Sequence, residues 1–116
     1  MSTSPEPAVL TFDAGGAMRG QFAGRDHGGS VSVILVDTDE PGAGPRLHRH
    51  PYDETFVLHT GEAEFTVGDR TFRAGPGSYI AAPIGTVHGF RNVGGGELRL
   101  LNVHTPNTGF IQRMRA

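Results

Sequence analysis

Two histidines, His48 and His50, sit two residues apart, and Glu54 follows four residues after His50. Side chains on an extended strand alternate between its faces, so His48 and His50 point the same way. Glu54 shares their parity and joins them if the chain bends at Pro51 and re-enters a second strand. His88 ends the run Pro83-Ile84-Gly85-Thr86-Val87-His88, which reads as a tight turn leading back into a strand. A lone His-x-His pair is more often a surface feature than a ligand pair. Here it comes with a carboxylate and a further imidazole, and that set makes a site for a divalent metal ion.

Three neutral nitrogens and one anionic oxygen around a divalent ion leave a net charge of about +1, which polarises a bound water or a substrate oxygen. Zinc accepts four such ligands as a closed tetrahedron. Manganese, iron, nickel or cobalt prefers six, leaving two adjacent positions for water, a chelating substrate or dioxygen. The residue types therefore call for one divalent ion per chain (Fe, Mn, Ni, Zn, Cu or Co) without choosing among them.

The elements that must position these side chains are strands. The chain has 116 residues, enough for one core, and 18 glycines and 8 prolines punctuate it too often for helices. Short β-branched runs between Gly/Pro turns indicate an all-β sandwich or barrel. The formal net charge is −2, which gives no reason to expect a nucleic acid or an anionic membrane surface as partner. There is no cysteine, so disulfides and thiolate metal sites are excluded. Met1 to Pro7 is polar and proline-rich, lacks the features of a signal peptide and reads as a frayed tail. No apolar run is long enough for a membrane-spanning helix. The expectation is a soluble, cytoplasmic protein.

In chain order, Val9 to Phe12 and Arg19 to Phe22 read as short strands, and Gly24 to Gly29 as a turn holding a solvated His27. Ser30 to Thr38 carries Val31, Val33, Ile34, Leu35 and Val36, a near-continuous apolar run that suggests burial on both faces. Asp39 to Pro45 is a loop that delivers Arg46 to His50, read as the ligand strand. Asp53 to Thr60 is the next strand, with Glu54, Phe56 and Leu58 on one face. Ala63 to Val67 and Arg70 to Phe72 form a hairpin around Gly68-Asp69, a loop that needs positive φ. Strands follow at Ser78 to Ala82, Thr86 to Arg91 and Glu97 to His104, with a closing segment at Phe110 to Arg115.

Two patterns sharpen this reading. Gly42, His48, His50, Glu54 and Gly61 fit G-x5-H-x-H-x3-E-x6-G at every fixed position. Gly77, Pro83, Gly85, His88 and Asn92 fit G-x5-P-x-G-x2-H-x3-N. These resemble the two motifs of the cupin superfamily, and the short spacer between Gly61 and Gly77 is similar to that of small microbial cupins. The resemblance implies a small antiparallel jelly-roll β-barrel. Residues 8–116 would form this single domain, with His48, His50, Glu54 and His88 as metal ligands. It also implies a homodimer, because the first strand of many cupins pairs with a second subunit. Gly61, Gly77 and Gly85 fall where tight turns are needed, and Asn92 can close a turn through its local backbone.

Other side chains are assigned by parity and place. His59 has parity opposite to Glu54 and should face away from the metal. His104 ends the last long strand, where small cupins often place a pocket residue. With the Asn102/His104 face inward it is a candidate acid or base, although Leu101 and Val103 offer an equally good buried face. Arg46 shares parity with His48 and either reaches the pocket mouth, to pair with a substrate anion, or is solvated. Tyr52, between two ligands, either donates a phenolic hydrogen bond to the site or covers the rim. Phe56, Phe65, Phe72, Ile80 and Phe90 read as core and pocket wall around a small, largely apolar cavity.

The function this implies is a metal-dependent enzyme acting on a small organic molecule chelated at the 3-His-1-Glu centre. Many cupins with this ligand set are dioxygenases, which puts that chemistry ahead of an isomerase or lyase. The alternative is a non-enzymatic metal- or metabolite-binding module. One fold hosts many chemistries, so the substrate does not follow from the resemblance.

Overall fold

The computed structural model describes Val9, residues 18–23 and residues 29–105. The expected strand at Val9 to Phe12, the His27 turn, the tail at Met1 to Pro7 and the closing segment at Phe110 to Arg115 lie outside the described residues, apart from Val9 itself. Eight strands follow in order: β1 (Met18–Phe22), β2 (Ser32–Thr38), β3 (Asp53–Thr60), β4 (Ala63–Val67), β5 (Arg70–Ala74), β6 (Tyr79–Ala82), β7 (His88–Asn92) and β8 (Leu98–Thr105). They form a five-stranded sheet, β1-β2-β8-β3-β6, and a three-stranded sheet, β5-β4-β7. Every pairing is antiparallel. This is a jelly roll of two facing sheets, and among the described residues no strand ladder closes it into a continuous barrel. The described residues contain no helix, and so none long and apolar enough to cross a membrane.

Alternation along β3 sets the inside of the molecule. Glu54, Phe56 and Leu58 are buried, whereas Val57 and His59 are exposed. The same-face rows run across the sheet: Glu54 opposite His104 and Ala82, Phe56 opposite Asn102 and Ile80, Leu58 opposite Leu100. Ala63 and Phe65 of β4 and Phe90 of β7 close over these rows from the second sheet. Phe56 meets Phe65 and Phe90 edge-on, with ring centroids 5.3 and 5.6 Å apart. This arrangement suits the ring quadrupoles and holds the sheets in register.

Two packing expectations need correction. The apolar run of β2 is not buried on both faces: Val33, Ile34, Leu35 and Val36 are all half-buried, and only Asp37 is buried. Ile34 and Val36 line a cavity, and Val36 also packs against the edge of the core. Asp37 is held by the Arg99 guanidinium at 3.0 Å. Phe72 is 37% exposed, because β5 is an edge strand. It stacks on Phe65 at 6.0 Å rather than entering the core.

The turns behave as their glycines require. Gly68 takes φ +64°, with Asp69 at negative φ, which suits a two-residue hairpin loop. Gly61 and Gly77 take φ +86° and +87°. They differ in surroundings: a Cβ on Gly61 would lie 2.1 Å from the Glu97 carbonyl oxygen, while one on Gly77 would meet nothing within 4 Å. Gly77→Ala should therefore cost about 1 kcal/mol of stability, from backbone strain alone. Gly61→Ala, with strain and overlap together, should cost roughly 3 kcal/mol or more. Urea denaturation midpoints of the two variants check this; equal losses would mean that the close approach at Gly61 relaxes freely.

Candidate metal centre

The segment that carries His48 and His50 is not the regular strand its alternation suggests. It runs extended beside β7 and contacts it twice. Gly42 N–H donates to the Asn92 carbonyl and Asn92 N–H to the Ala43 carbonyl, at 2.9 and 2.8 Å. Further along, His48 and His88 exchange both backbone hydrogen bonds, at 2.9 and 2.8 Å. Pro45 lies between these contacts and offers no N–H. Gly44 lets the backbone approach closely there, since a Cβ would fall 1.8 Å from the Phe90 carbonyl oxygen. The backbone bridge sets His48 directly beside His88.

The second motif is tied to the first in the same way. Gly85 N–H donates to the His50 carbonyl at 2.9 Å, and Ile84 N–H to the Asp53 carboxylate at 2.8 Å. Asn92 is buried, and its amide donates to the Glu40 and Gly96 carbonyls while accepting from Gly94 N–H. It closes its own turn, as expected, and also anchors the loop that leads into the first motif.

His48, His50, Glu54 and His88 each offer a ligand atom, and these atoms all lie within 4.8 Å of one another. The imidazole rings pack at centroid distances of 4.6, 4.5 and 5.2 Å. Glu54 is 2% exposed, and its Oε1 stands 2.8 Å from His50 Nε2 and 3.0 Å from His88 Nε2. Nδ1 of His48 faces the Arg46 carbonyl, and Nδ1 of His88 faces the Thr86 carbonyl. A carbonyl only accepts, so each Nδ1 carries the ring hydrogen and each Nε2 presents a lone pair. His50 Nε2 is buried, and its close approach to Glu54 Oε1 lacks hydrogen-bond geometry. Several lone pairs thus converge on one carboxylate, and one proton cannot serve them all. A divalent cation can, and the donor set of three nitrogens and one oxygen fits it. Burial pushes the His50 imidazole below its usual range; Glu54 opposes this, and His48, His88 and His104 add to the lowering. The favoured neutral ring is the form that ligates metal.

The remaining candidates separate cleanly. On β8, Leu98, Leu100 and Asn102 are buried while Leu101 and Val103 are only half-buried, so the Asn102/His104 face turns inward. His104 Nδ1 lies 3.1 Å from the Tyr52 hydroxyl and 3.6 Å from Glu54 Oε1. Tyr52 stacks on His50, with centroids 4.6 Å apart and planes at 2°. Burial raises the phenol and Glu54 raises it further. The His104 imidazole is lowered, by burial first, against the pull of Glu54 and with help from His88 and His48. Both groups are therefore held in their neutral forms. His59 is exposed, pairs with Thr60 and takes no part in the cluster. Arg46 is exposed and does not line the cavity, so the pocket-mouth reading fails; its backbone carbonyl orients His48 instead.

A cavity of about 420 Å³ opens on the cluster. His48, His50, Glu54 and His104 stand on one side, and Ile34, Val36, Pro45 and Phe90 supply apolar wall. Asn102 also lines it, a residue that sequence reasoning used only to define a strand face. Its one sequence signal is a polar residue on an otherwise apolar inner row, Leu98-x-Leu100-x-Asn102.

Comparison with known proteins fits this geometry. The Cupin domain family pattern matches residues 35–104. An uncharacterised protein of Streptomyces coelicolor is 30% identical over 82 residues, covering 71% of this chain and 74% of its own length. The cupin domain of Cnp3 from Schizosaccharomyces pombe superposes with a TM-score of 0.64 at 24% identity, over 74% of this chain and 58% of that one. A double-stranded β-helix protein of Klebsiella pneumoniae gives 0.61 at 27% identity, over 68% and 70% of the two chains. Bacillus subtilis oxalate decarboxylase, studied for its Mn(II) centres, gives 0.59 at 30% identity, over 66% of this chain and 22% of the enzyme. The chain thus spans less than two thirds of the Schizosaccharomyces and Bacillus subtilis chains it matches. It belongs to the cupin superfamily, and the His/Glu cluster supports a metal-binding member of it.

Elemental analysis of protein purified without an affinity tag checks the centre. Near one equivalent of a divalent metal is expected, falling several-fold or more in His50→Ala while circular dichroism still reports the β fold. His59→Ala should keep the full metal content. Unchanged metal in the first variant, or loss in the second, would remove the assignment.

Proposed function

We propose that this cupin is a metal-dependent enzyme acting on a small organic molecule chelated at the centre formed by His48, His50, Glu54 and His88. One observation carries the reading: the cavity of about 420 Å³ is walled by three of these four residues, so a ligand within it lies against the metal-binding atoms. A purely structural centre would be sealed by protein ligands. When bound, a divalent ion there supplies a Lewis acid that polarises substrate oxygens.

The chain's own side chains have separable jobs. Glu54 and the three imidazoles fix position and charge. The apolar wall of Ile34, Val36, Pro45 and Phe90 excludes water and admits apolar substrate or dioxygen. Tyr52 and His104, joined at 3.1 Å, hold a proton beside the site. With the hydroxyl donating to Nδ1, the ring hydrogen of His104 sits on Nε2. Dioxygenase-type chemistry is the leading assignment, favoured by the apolar wall. An isomerase or lyase is the second, favoured by the Tyr52–His104 pair.

Reconstitution with Fe, Mn, Ni, Co, Cu or Zn, followed by oxygen-consumption and product assays on small enols, diketones, phenols and keto acids, tests this. Turnover with dioxygen uptake supports the first assignment, and turnover without it the second. Tight binding without turnover in every metal form would make the chain a binding module. In an active form, Tyr52→Phe and His104→Gln should keep the metal and lower kcat by roughly 10²–10⁴-fold. Full activity in both would remove the pair from the mechanism.

The outer face of the larger sheet supports a homodimer. Val57 and Tyr79 are 40% and 71% exposed there, and half-buried Val33, Leu35, Leu101 and Val103 continue the patch. Sedimentation equilibrium at micromolar concentration should return twice the chain mass, and Tyr79→Glu should return a monomer. A monomeric parent protein would end this assignment.

A further inference from the structure

Buried polar atoms in a folded protein are almost always partnered. Two on the inner face of β8 are not. Asn102 Oδ1 and His104 Nε2 are both buried, belong to side chains that line the cavity, and have no hydrogen-bond partner among the described residues. Asn102 is 7% exposed and sits between Ile34 of β2 and Phe56 of β3 in the sheet register. Leu100, one same-face step along the strand, is fully buried. An unserved amide oxygen in such surroundings costs about 1–3 kcal/mol, which an aliphatic residue would avoid. Its place on a side chain of the cavity wall suits a partner from inside the cavity.

The register gives the spacing. His104 stands opposite Glu54, and Asn102 opposite Phe56. The amide therefore lies one same-face step, roughly 7 Å, along β8 from the level of the metal-binding carboxylate. Ile34, Val36 and Phe90 are apolar wall of the same cavity. Charge narrows the ligand further. Among the described residues the cavity is lined by two carboxylates, Glu40 and Glu54, and by no arginine, and the sequence contains no lysine. Glu54 already offsets one charge of a divalent ion, so a dianionic ligand has little to balance it.

We infer that the cavity takes a small hydroxylated enol, diketone or phenol rather than a compact dianion, and that its hydroxyl, set roughly 7 Å from the metal-chelating oxygens, donates to Asn102 Oδ1. This rests on chelation at the metal centre as proposed above. His104 Nε2 is then free to meet an oxygen at the chelating end, while Tyr52 holds Nδ1.

Calorimetric titration of the cobalt-loaded full chain under nitrogen, with para-hydroxybenzoylacetone, benzoylacetone and oxalate as probes, tests the inference. The hydroxylated diketone should bind roughly tenfold tighter than benzoylacetone, although its hydroxyl makes it less apolar. The preference should vanish in Asn102→Leu. Equal affinities in the parent protein overturn the proposal, which is also the outcome if an ordered water serves the amide. A preference that survives Asn102→Leu, or oxalate binding tighter than either diketone, overturns it as well. These results leave chelation standing. Binding of neither diketone to protein that holds one equivalent of cobalt would instead sink chelation, and the proposal with it. The comparison in the parent protein decides alone, so a misfolded variant leaves the test in place.

Discussion

A carboxylate that is 2% exposed, with imidazole nitrogens 2.8 and 3.0 Å from one of its oxygens, is costly unless a cation or a proton balances it. Much of the structure follows from how that balance is arranged. Two of the ring hydrogens are committed to backbone carbonyls, at Arg46 and Thr86, which turns the Nε2 lone pairs toward Glu54. In water these acceptors would separate. Here they are held together by backbone that has no freedom to retreat: the His48–His88 bridge on one side and the start of β3 on the other. The site is preorganised for a cation, so the fold bears the repulsion in advance and binding the ion relieves it.

The restraint is shared between two motifs distant in sequence. Gly85 N–H reaches the His50 carbonyl, and Asp53 reaches Ile84 N–H, so the turn before His88 is fastened to the bend before β3. Asn92 fastens the other end through the Glu40 carbonyl. Behind the centre, Phe56 lies edge-on to the His88 ring at 6.0 Å and packs on Phe65 and Phe90. A change in the aromatic core is therefore felt at His88 through direct contact. Glycines serve this backbone course in two ways: Gly44 and Gly61 sit where another backbone passes too close for a Cβ, whereas Gly42, Gly77 and Gly85 supply positive φ in open space.

What was legible in the sequence follows from where geometry is local. The bounds of β3, its buried face and the outward turn of His59 came from two-residue parity with Glu54 along Asp53 to Thr60, which an extended strand keeps. The hairpin at Gly68 and the convergence of His48, His50, Glu54 and His88 were legible because a turn and a side-chain cluster impose residue types at fixed intervals. The ligand segment was misread as a strand, since alternation reports which way side chains point but not whether the backbone finds partners. Pro45 interrupts those partners. A continuous apolar run such as Val33 to Val36 does not distinguish a core strand from one that walls a cavity. Leu98 to Val103 carries apolar residues on both faces, so the inward turn of His104 had to come from the packing of β8 against β3.

The cavity has a charged end and an apolar wall. Its charged chemistry is concentrated at one end, where Glu54 and three imidazoles leave a bound divalent ion about one net positive charge. Away from that end the described lining is largely apolar, interrupted by the Asn102 amide and, at the outer margin, by Thr38 and exposed Glu40. Such a site gains little by holding a compact dianion, for which the apolar wall offers no contacts. It gains most from an elongated ligand that places oxygen at the metal and carbon along Ile34, Val36 and Phe90. A related cupin with the same four ligands but a different wall would retain the metal chemistry and change the molecule it is applied to. That is why the ligand set alone is a poor guide to substrate, and why the proposed role of the amide on β8 bears on it more directly than the centre does.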